Sequence, residues 1–336
     1  MGLKQFILRQ VAAPVLHNSG WFRRTPRNSL PQKLILNYHG VLDREPLRIN
    51  NRHLPVAQFE ADLQYLKQHY EVVPLKEMFW PDSARRSERP WVALTFDDGY
   101  RNNLEFAVPL LAKYAVPATF YIVTAALEDP EFRLWADTLD IVLAHHQPTE
   151  IALAEQTFVR DPGGHYRSGD QTLWEAIKSM GMARDVWIEE FTAQFGDFSA
   201  RVQQHQAQWK MMSGDEVRRC YDSGWVEIGS HTHRHYNLGR IPAALVQSEL
   251  EQSRRILEDL IQDAVTGIGY PDGDYTEAVK DLAERAGYRE QVAVGFRLPG
   301  DPQDPRIRRR FSYSNSTTHA SNMIRMERKW TNYAFL

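Results

Sequence analysis

The chain has 336 residues, with 40 Lys+Arg against 43 Asp+Glu, a net charge of -3, 43% hydrophobic residues and a single cysteine, Cys220. These values exclude a disordered or collagen-like chain, and the missing basic excess argues against a dedicated nucleic-acid binder. One cysteine leaves no intramolecular disulfide, which is the usage of a reducing, cytoplasmic compartment. No run approaches the roughly 20 apolar residues of a membrane span. The length fits two domains or one α/β barrel with an insertion.

Residues 1–30 read as an N-terminal arm in which Leu3, Phe6, Ile7 and Val11 share one helical face. Such a face docks on the rest of the protein or holds weakly to a membrane surface, possible at the inner face of the membrane. KLILNY, residues 33–38, is a buried strand followed by His39. Phe59, Leu63 and Leu66 recur at helical spacing. WVALTF is a second buried strand, running into Asp97, Asp98 and Gly99. Leu104–Tyr114 is a helix and ATFYIV a third strand.

The rhythm breaks over residues 128–210, which hold helical patches and no convincing strand alternation. This segment is expected to be a helical insertion on the loop face of a barrel. Strand–helix alternation resumes with a helix capped by Ser213 and Glu216 and stopped by Gly224. WVEIGS, VTGIGY and QVAVGF are further strands, separated by two helical stretches. Repeated alternation predicts a parallel sheet. The barrel is expected over residues 31–320 and a C-terminal tail over 321–336.

Two constellations carry chemistry. Asp97 and Asp98 are adjacent carboxylates at a strand end, where barrel chemistry collects. They repel unless a cation or proton separates them. A metal on Asp98 leaves Asp97 free to act as a base; the bland alternative is a helix cap and a turn. His231 and His235, spaced four apart after VEIGS, can reach one ion, with His233 pointing elsewhere. Two histidines and one aspartate form a donor set for Zn²⁺ or Fe²⁺ with open positions.

Thr95–Gly99 (TFDDG) with His231, Thr232 and His235 (HTHRH) closely resembles the polysaccharide deacetylases, the NodB-homology family of carbohydrate esterases. YHGV at 38–41, VPATFYIV at 116–123 and GWVEIGSHTHRH at 224–235 fit the same family. The resemblance implies a distorted (β/α) barrel with one divalent metal, Zn first, on Asp98, His231 and His235. It implies Asp97 as catalytic base and a metal-dependent hydrolysis of amide bonds. The substrate would be an N-acetylated carbohydrate, an N-acetylhexosamine in a surface glycan or its precursor. Another acyl amide or ester, or glycan binding without turnover, is the alternative.

The chain departs from the family at its third motif, usually R-x-P-[YF]. Here the residues are Gly269, Tyr270, Pro271 and Asp272, so the motif arginine is absent. Tyr270, Pro271 and Gly273 resemble the exopolysaccharide-type branch, with the Asp272 N–H as candidate oxyanion donor. Arg308, Arg309 and Arg310 read first as a solvated basic run, and second as the source of a replacement arginine. The family's C-terminal acid motif is not recognisable, and His319 matches it poorly. His39 is the acid candidate, since it ends a strand whose tip faces the metal side. Trp135, Trp174, Trp187 and Trp209 in the insertion read mainly as packing residues, with one or two available to a glycan.

Overall fold

The computed structural model describes residues 33–47, 50–81, 89–313 and 319–327. The expected arm over 1–30 lies outside the described residues, as do residues 328–336 of the expected tail.

Strand β1 (Lys33–Tyr38) is followed by a small parallel pair, β2 (Gly40–Leu42) and β3 (His53–Pro55). Helix Val56–His69 buries Phe59, Leu63 and Leu66, as their spacing predicts. β4 (Glu71–Val72) pairs with β5 (Trp91–Phe96), which is buried along most of its length. The next helix begins as a π-turn over Asn103–Ala107 before α-helix Val108–Tyr114. Pro109 has no N–H for the regular ladder, and the wider turn before it absorbs that loss. β6 (Ala118–Ile122) is wholly buried.

The insertion is helical at both ends, with helices Trp135–His146, Leu173–Lys178 and Ala183–Ala193 among its parts. Between them lies an antiparallel sheet that the sequence reading did not anticipate. Its strands are β7 (Glu150–Leu153), β8 (Gln156–Arg160), β9 (Tyr166–Ser168) and β10 (Gln171–Thr172), in order β10-β9-β8-β7. The strands are short, and β8 buries only Phe158, so apolar alternation is too brief to register. Ile151, Phe158 and Tyr166 pack with Leu139, Leu173 and Phe191 into a core of the insertion's own. Trp135 belongs to that core, Trp174 and Trp187 pack against it, and Trp209 is fully buried in a neighbouring cluster. All four act in packing.

Helix Gly214–Asp222 carries the expected capping box between Ser213 and Glu216. β11 (Val226–Ser230), β12 (Gly267–Gly269) and β13 (Glu290–Ala293) follow, joined through helices Ala243–Ile261 and Glu277–Arg285. β14 (Ile307–Arg309) and β15 (Phe311–Ser312) are separated by Arg310 alone. Helix His319–Glu327 begins before the expected start of the tail and runs into it.

The main sheet runs β14-β13-β12-β11-β6-β5-β1-β15, parallel throughout, with β4 beside β5. Its two ends meet in one short segment, which pairs with β13 through Ile307–Arg309 and with β1 through Phe311 and Ser312. The sheet thus curls into a nearly closed barrel whose seam contains Arg310. The ring of Tyr121 fills the interior. A Cβ at Gly229 would meet that ring at 2.5 Å, so β11 approaches it only as glycine, and one at Gly269 would press on it at 3.1 Å. No described helix is long and apolar enough to cross a membrane.

Candidate metal centre

Asp97 and Asp98 leave the end of β5, and the histidine loop leaves the end of β11. The loops are stitched together: the Val123 N–H donates to the Asp98 carbonyl, and the Thr124 N–H to that of Thr232. Asp98, Thr232 and His235 have φ of 77°, 65° and 59°. Such left-handed residues are costly outside glycine and collect where a site dictates the backbone. Glu249 fixes the loop by accepting from the N–H groups of His233 and Arg234, at 2.9 and 2.8 Å.

Asp98, His231 and His235 each present one ligand atom, and these atoms lie within 4.8 Å of one another. Nε2 of His231 and Nε2 of His235 each stand 3.4 Å from Asp98 Oδ1. The Nδ1 of His231 is 2.7 Å from the Gly269 carbonyl; donation there leaves Nε2 as the lone-pair nitrogen facing Asp98. Burial, opposed by Asp97, lowers the His231 pKa to about 4, so the ring is neutral and able to ligate. Burial raises the Asp98 carboxyl, but the surrounding histidines outweigh it and hold the group far below the carboxylate range. Two imidazoles and one carboxylate, converging on one point, fit a divalent ion. His233 turns away, with Nδ1 3.0 Å from Thr124 Oγ1 and Nε2 3.2 Å from Gln252 Nε2.

Asp97 stands apart from this set, 3.9 Å from His231 Nε2. Its two oxygens are gripped by Arg310, whose guanidinium nitrogens donate at 2.6 and 2.7 Å. Arg310 is buried, also donates to Thr95 Oγ1 at 3.1 Å, and lies 5.4 Å from the Tyr121 ring centre. Burial pushes the Asp97 carboxyl up, yet Arg310 and His231 prevail and hold it below its ordinary value. The basic run therefore does not read as a solvated stretch throughout. Arg308 bonds backbone carbonyls, Arg309 is exposed, and Arg310 turns into the barrel. The seam decides which arginine enters, and that is a fact of strand pairing.

His39 follows β1, and its backbone carbonyl accepts from Asn103 Nδ2 at 2.6 Å. Its ring feels both Asp97 and Asp98, which oppose the lowering of its pKa by burial. Its Nδ1 is buried without a protein partner. His319 is elsewhere: its Nδ1 pairs with Asp62 Oδ1 at 2.5 Å, against helix Val56–His69. Tyr270, Pro271 and Asp272 follow β12, Pro271 opening a single 3-10 turn. Tyr270 is buried and donates to Gln291 Oε1, so it supports the turn from below.

The insertion also reaches this centre, which sequence reasoning did not find. Tyr100, two residues past Asp98, donates to Asp137 at 3.0 Å. Arg52 bridges Asp137 and Asp140 at 2.7 Å each, and all three are largely buried. Lys178 pairs with Asp272 at 2.5 Å. These partners lie far apart in the sequence, and no local pattern links them.

A family model described as polysaccharide deacetylase matches residues 84–291. YxkH of Bacillus subtilis, assigned as a polysaccharide deacetylase, is 24% identical over 279 residues, covering 82% of this chain and 68% of its own. A poly-beta-1,6-N-acetyl-D-glucosamine N-deacetylase of Staphylococcus aureus is 31% identical over 111 residues. That match spans 30% of this chain and 38% of the relative's length. Among solved structures, a Streptococcus pyogenes deacetylase, PplD, in complex with acetate superposes with a TM-score of 0.56 at 16% identity, over 88% of this chain and 97% of that one. IcaB from Ammonifex degensii gives 0.55 at 15% identity, over 88% and 97%. At these identities the superpositions speak for the fold.

Proposed function

The chain belongs to the polysaccharide deacetylase family, and from that membership we propose that it is a metal-dependent de-N-acetylase of N-acetylhexosamine units in a glycan or its precursor. The observation that carries the reading is a buried carboxylate, Asp97, gripped by Arg310 beside three convergent metal donors. The named activity of the Staphylococcus aureus relative supports the substrate class.

Asp98, His231 and His235 would hold the ion, zinc by preference for two nitrogens and one oxygen. Bound there, it would supply Lewis acidity, lowering the pKa of water and polarising an acetyl carbonyl. Asp97 accepts the proton of the attacking water, because Arg310 keeps its carboxylate ionised and fixes both oxygens. The N–H of Asp272 is free of the 3-10 turn's own bonds, as the first N–H groups of any helical turn are. It donates to the oxyanion that develops from the acetyl oxygen. His39 gives a proton to the departing nitrogen; burial lowers its pKa, and Asp97 and Asp98 oppose that lowering. The C–N bond breaks, leaving acetate and an amino sugar.

Chelation and reconstitution test this reading. Chelated protein should release no acetate from an N-acetylglucosamine oligomer, and stoichiometric Zn²⁺ should restore release. Acetate release that persists after complete metal removal would refute it.

A further inference from the structure

Asp272 is an unusual residue for its place in a tight turn. Its φ is 53°, left-handed, and Gly273 after it is left-handed as well. Aspartate tolerates that region better than most side chains, but still at a cost. Its carboxylate lies within electrostatic range of His235, beside the metal donors. One oxygen, Oδ1, pairs with Lys178 at 2.5 Å. The other, Oδ2, is buried and has no hydrogen-bond partner in the protein.

Lys178 comes from the insertion, at the end of helix Leu173–Lys178. Its backbone is anchored to the histidine loop: its carbonyl accepts from Asn237 Nδ2 at 3.0 Å, two residues beyond His235. Nearby, Arg184 of the insertion donates to the His235 carbonyl at 3.5 Å. The Lys178 side chain keeps 41% of its surface exposed, so the ion pair has solvent on its lysine side. An ammonium with three donors spends one on Asp272. The pair therefore offers a carboxylate oxygen that the protein leaves unpaired beside ammonium donors that reach solvent. An acceptor buried without a partner is costly unless a ligand satisfies it.

We propose that Asp272 and Lys178 together form a sugar-reading subsite that recognises the free hydroxyl adjacent to the acetamido group. The inference rests on the deacetylase reading for the placement of the acetyl oxygen at the Asp272 N–H. On a hexosamine, the acetamido carbon has two ring neighbours. One carries the glycosidic oxygen, which has no hydrogen to give. The other carries the 3-hydroxyl. A carboxylate on the residue whose N–H meets the acetyl oxygen reaches that hydroxyl first. Asp272 Oδ2 accepts its hydrogen, and Lys178 Nζ donates to its oxygen. An ether at this position removes the hydrogen and adds bulk, so 3-O-substituted N-acetylhexosamines are rejected.

Binding to the Zn²⁺-loaded full chain carrying Asp97→Asn, which prevents turnover, provides the test. The probes are a β-linked N-acetylglucosamine tetramer and its 3-O-methyl counterpart, followed by calorimetry. The tetramer should bind roughly 10- to 100-fold more tightly than the ether, the worth of a hydrogen bond to a charged group. Adding Asp272→Asn or Lys178→Met should weaken tetramer binding and narrow that ratio toward one, with metal content unchanged. Equal binding of the two sugars, no binding of the tetramer, or an undiminished ratio in Asp272→Asn would overturn the proposal. The unmodified chain is assayed in parallel for acetate. Discrimination without acetate release would refute the deacetylase reading and leave the subsite standing.

Discussion

Arg310 holds both oxygens of Asp97, and this contact sets the protonation state of the base. Without the guanidinium, the burial that already opposes ionisation would dominate. Arg310→Met should therefore raise the Asp97 pKa. A base must be deprotonated to act, so activity is lost as pH falls through that pKa. The acid limb of kcat/KM should move to higher pH by the same amount, and Arg310→Lys should move it less. An unshifted limb in Arg310→Met would show that Asp97 is not the group that titrates. His39 and His319 make a second contrast at this scale. His39 lies within electrostatic range of the two carboxylates, whereas His319 is tied to Asp62. His39→Ala should lower acetate release by about two to four decades with metal retained, and His319→Ala should leave it near wild type. The reverse pattern would move the acid to the C-terminal helix.

At the level of elements, the insertion and the barrel are locked by buried charge. Arg52, between β2 and β3 and helix Val56–His69 in the chain, bridges Asp137 and Asp140 of the insertion's first helix. Burial raises the Asp137 carboxyl, Arg52 opposes it, and the group settles at about 7. Removing the arginine alone leaves two buried carboxylates uncompensated, a loss of about 3–5 kcal/mol in comparable sites. Arg52→Met should lower thermal stability accordingly and expose the insertion, residues 128–210, to limited proteolysis before the barrel. Unchanged stability and an unchanged cleavage pattern would mean that the insertion docks by its apolar contacts alone. Because Tyr100 also bonds Asp137, the same variant should weaken metal binding through the Asp98 loop.

Across the whole molecule, what was legible in the sequence follows from how local each signal is. KLILNY, WVALTF and ATFYIV are strands buried on both faces, so each is a continuous apolar run. Asp97, Asp98, His231 and His235 stand directly after such runs, and their spacing could be read without a structure. The insertion's sheet could not, since its strands are short and its longest, β8, buries only Phe158. Arg310 was visible only as one of three arginines, because its inward turn depends on the chain passing from β13 to β1 at the seam. The Lys178–Asp272 and Arg52–Asp137 pairs join residues 94 and 85 positions apart, beyond the reach of any periodicity.

The division of labour between the two adjacent carboxylates is the central claim, and one paired measurement tests it most directly. Zinc content and acetate release are determined together for the wild type, Asp97→Asn and Asp98→Asn, on the same N-acetylglucosamine oligomer. Asp97→Asn should keep about one zinc per chain and lose about two to four decades of activity, the usual worth of a general base. Asp98→Asn should lose zinc and activity together, since a three-ligand site is left with two. Full activity in Asp97→Asn at normal zinc content, or unchanged zinc in Asp98→Asn, would contradict the account.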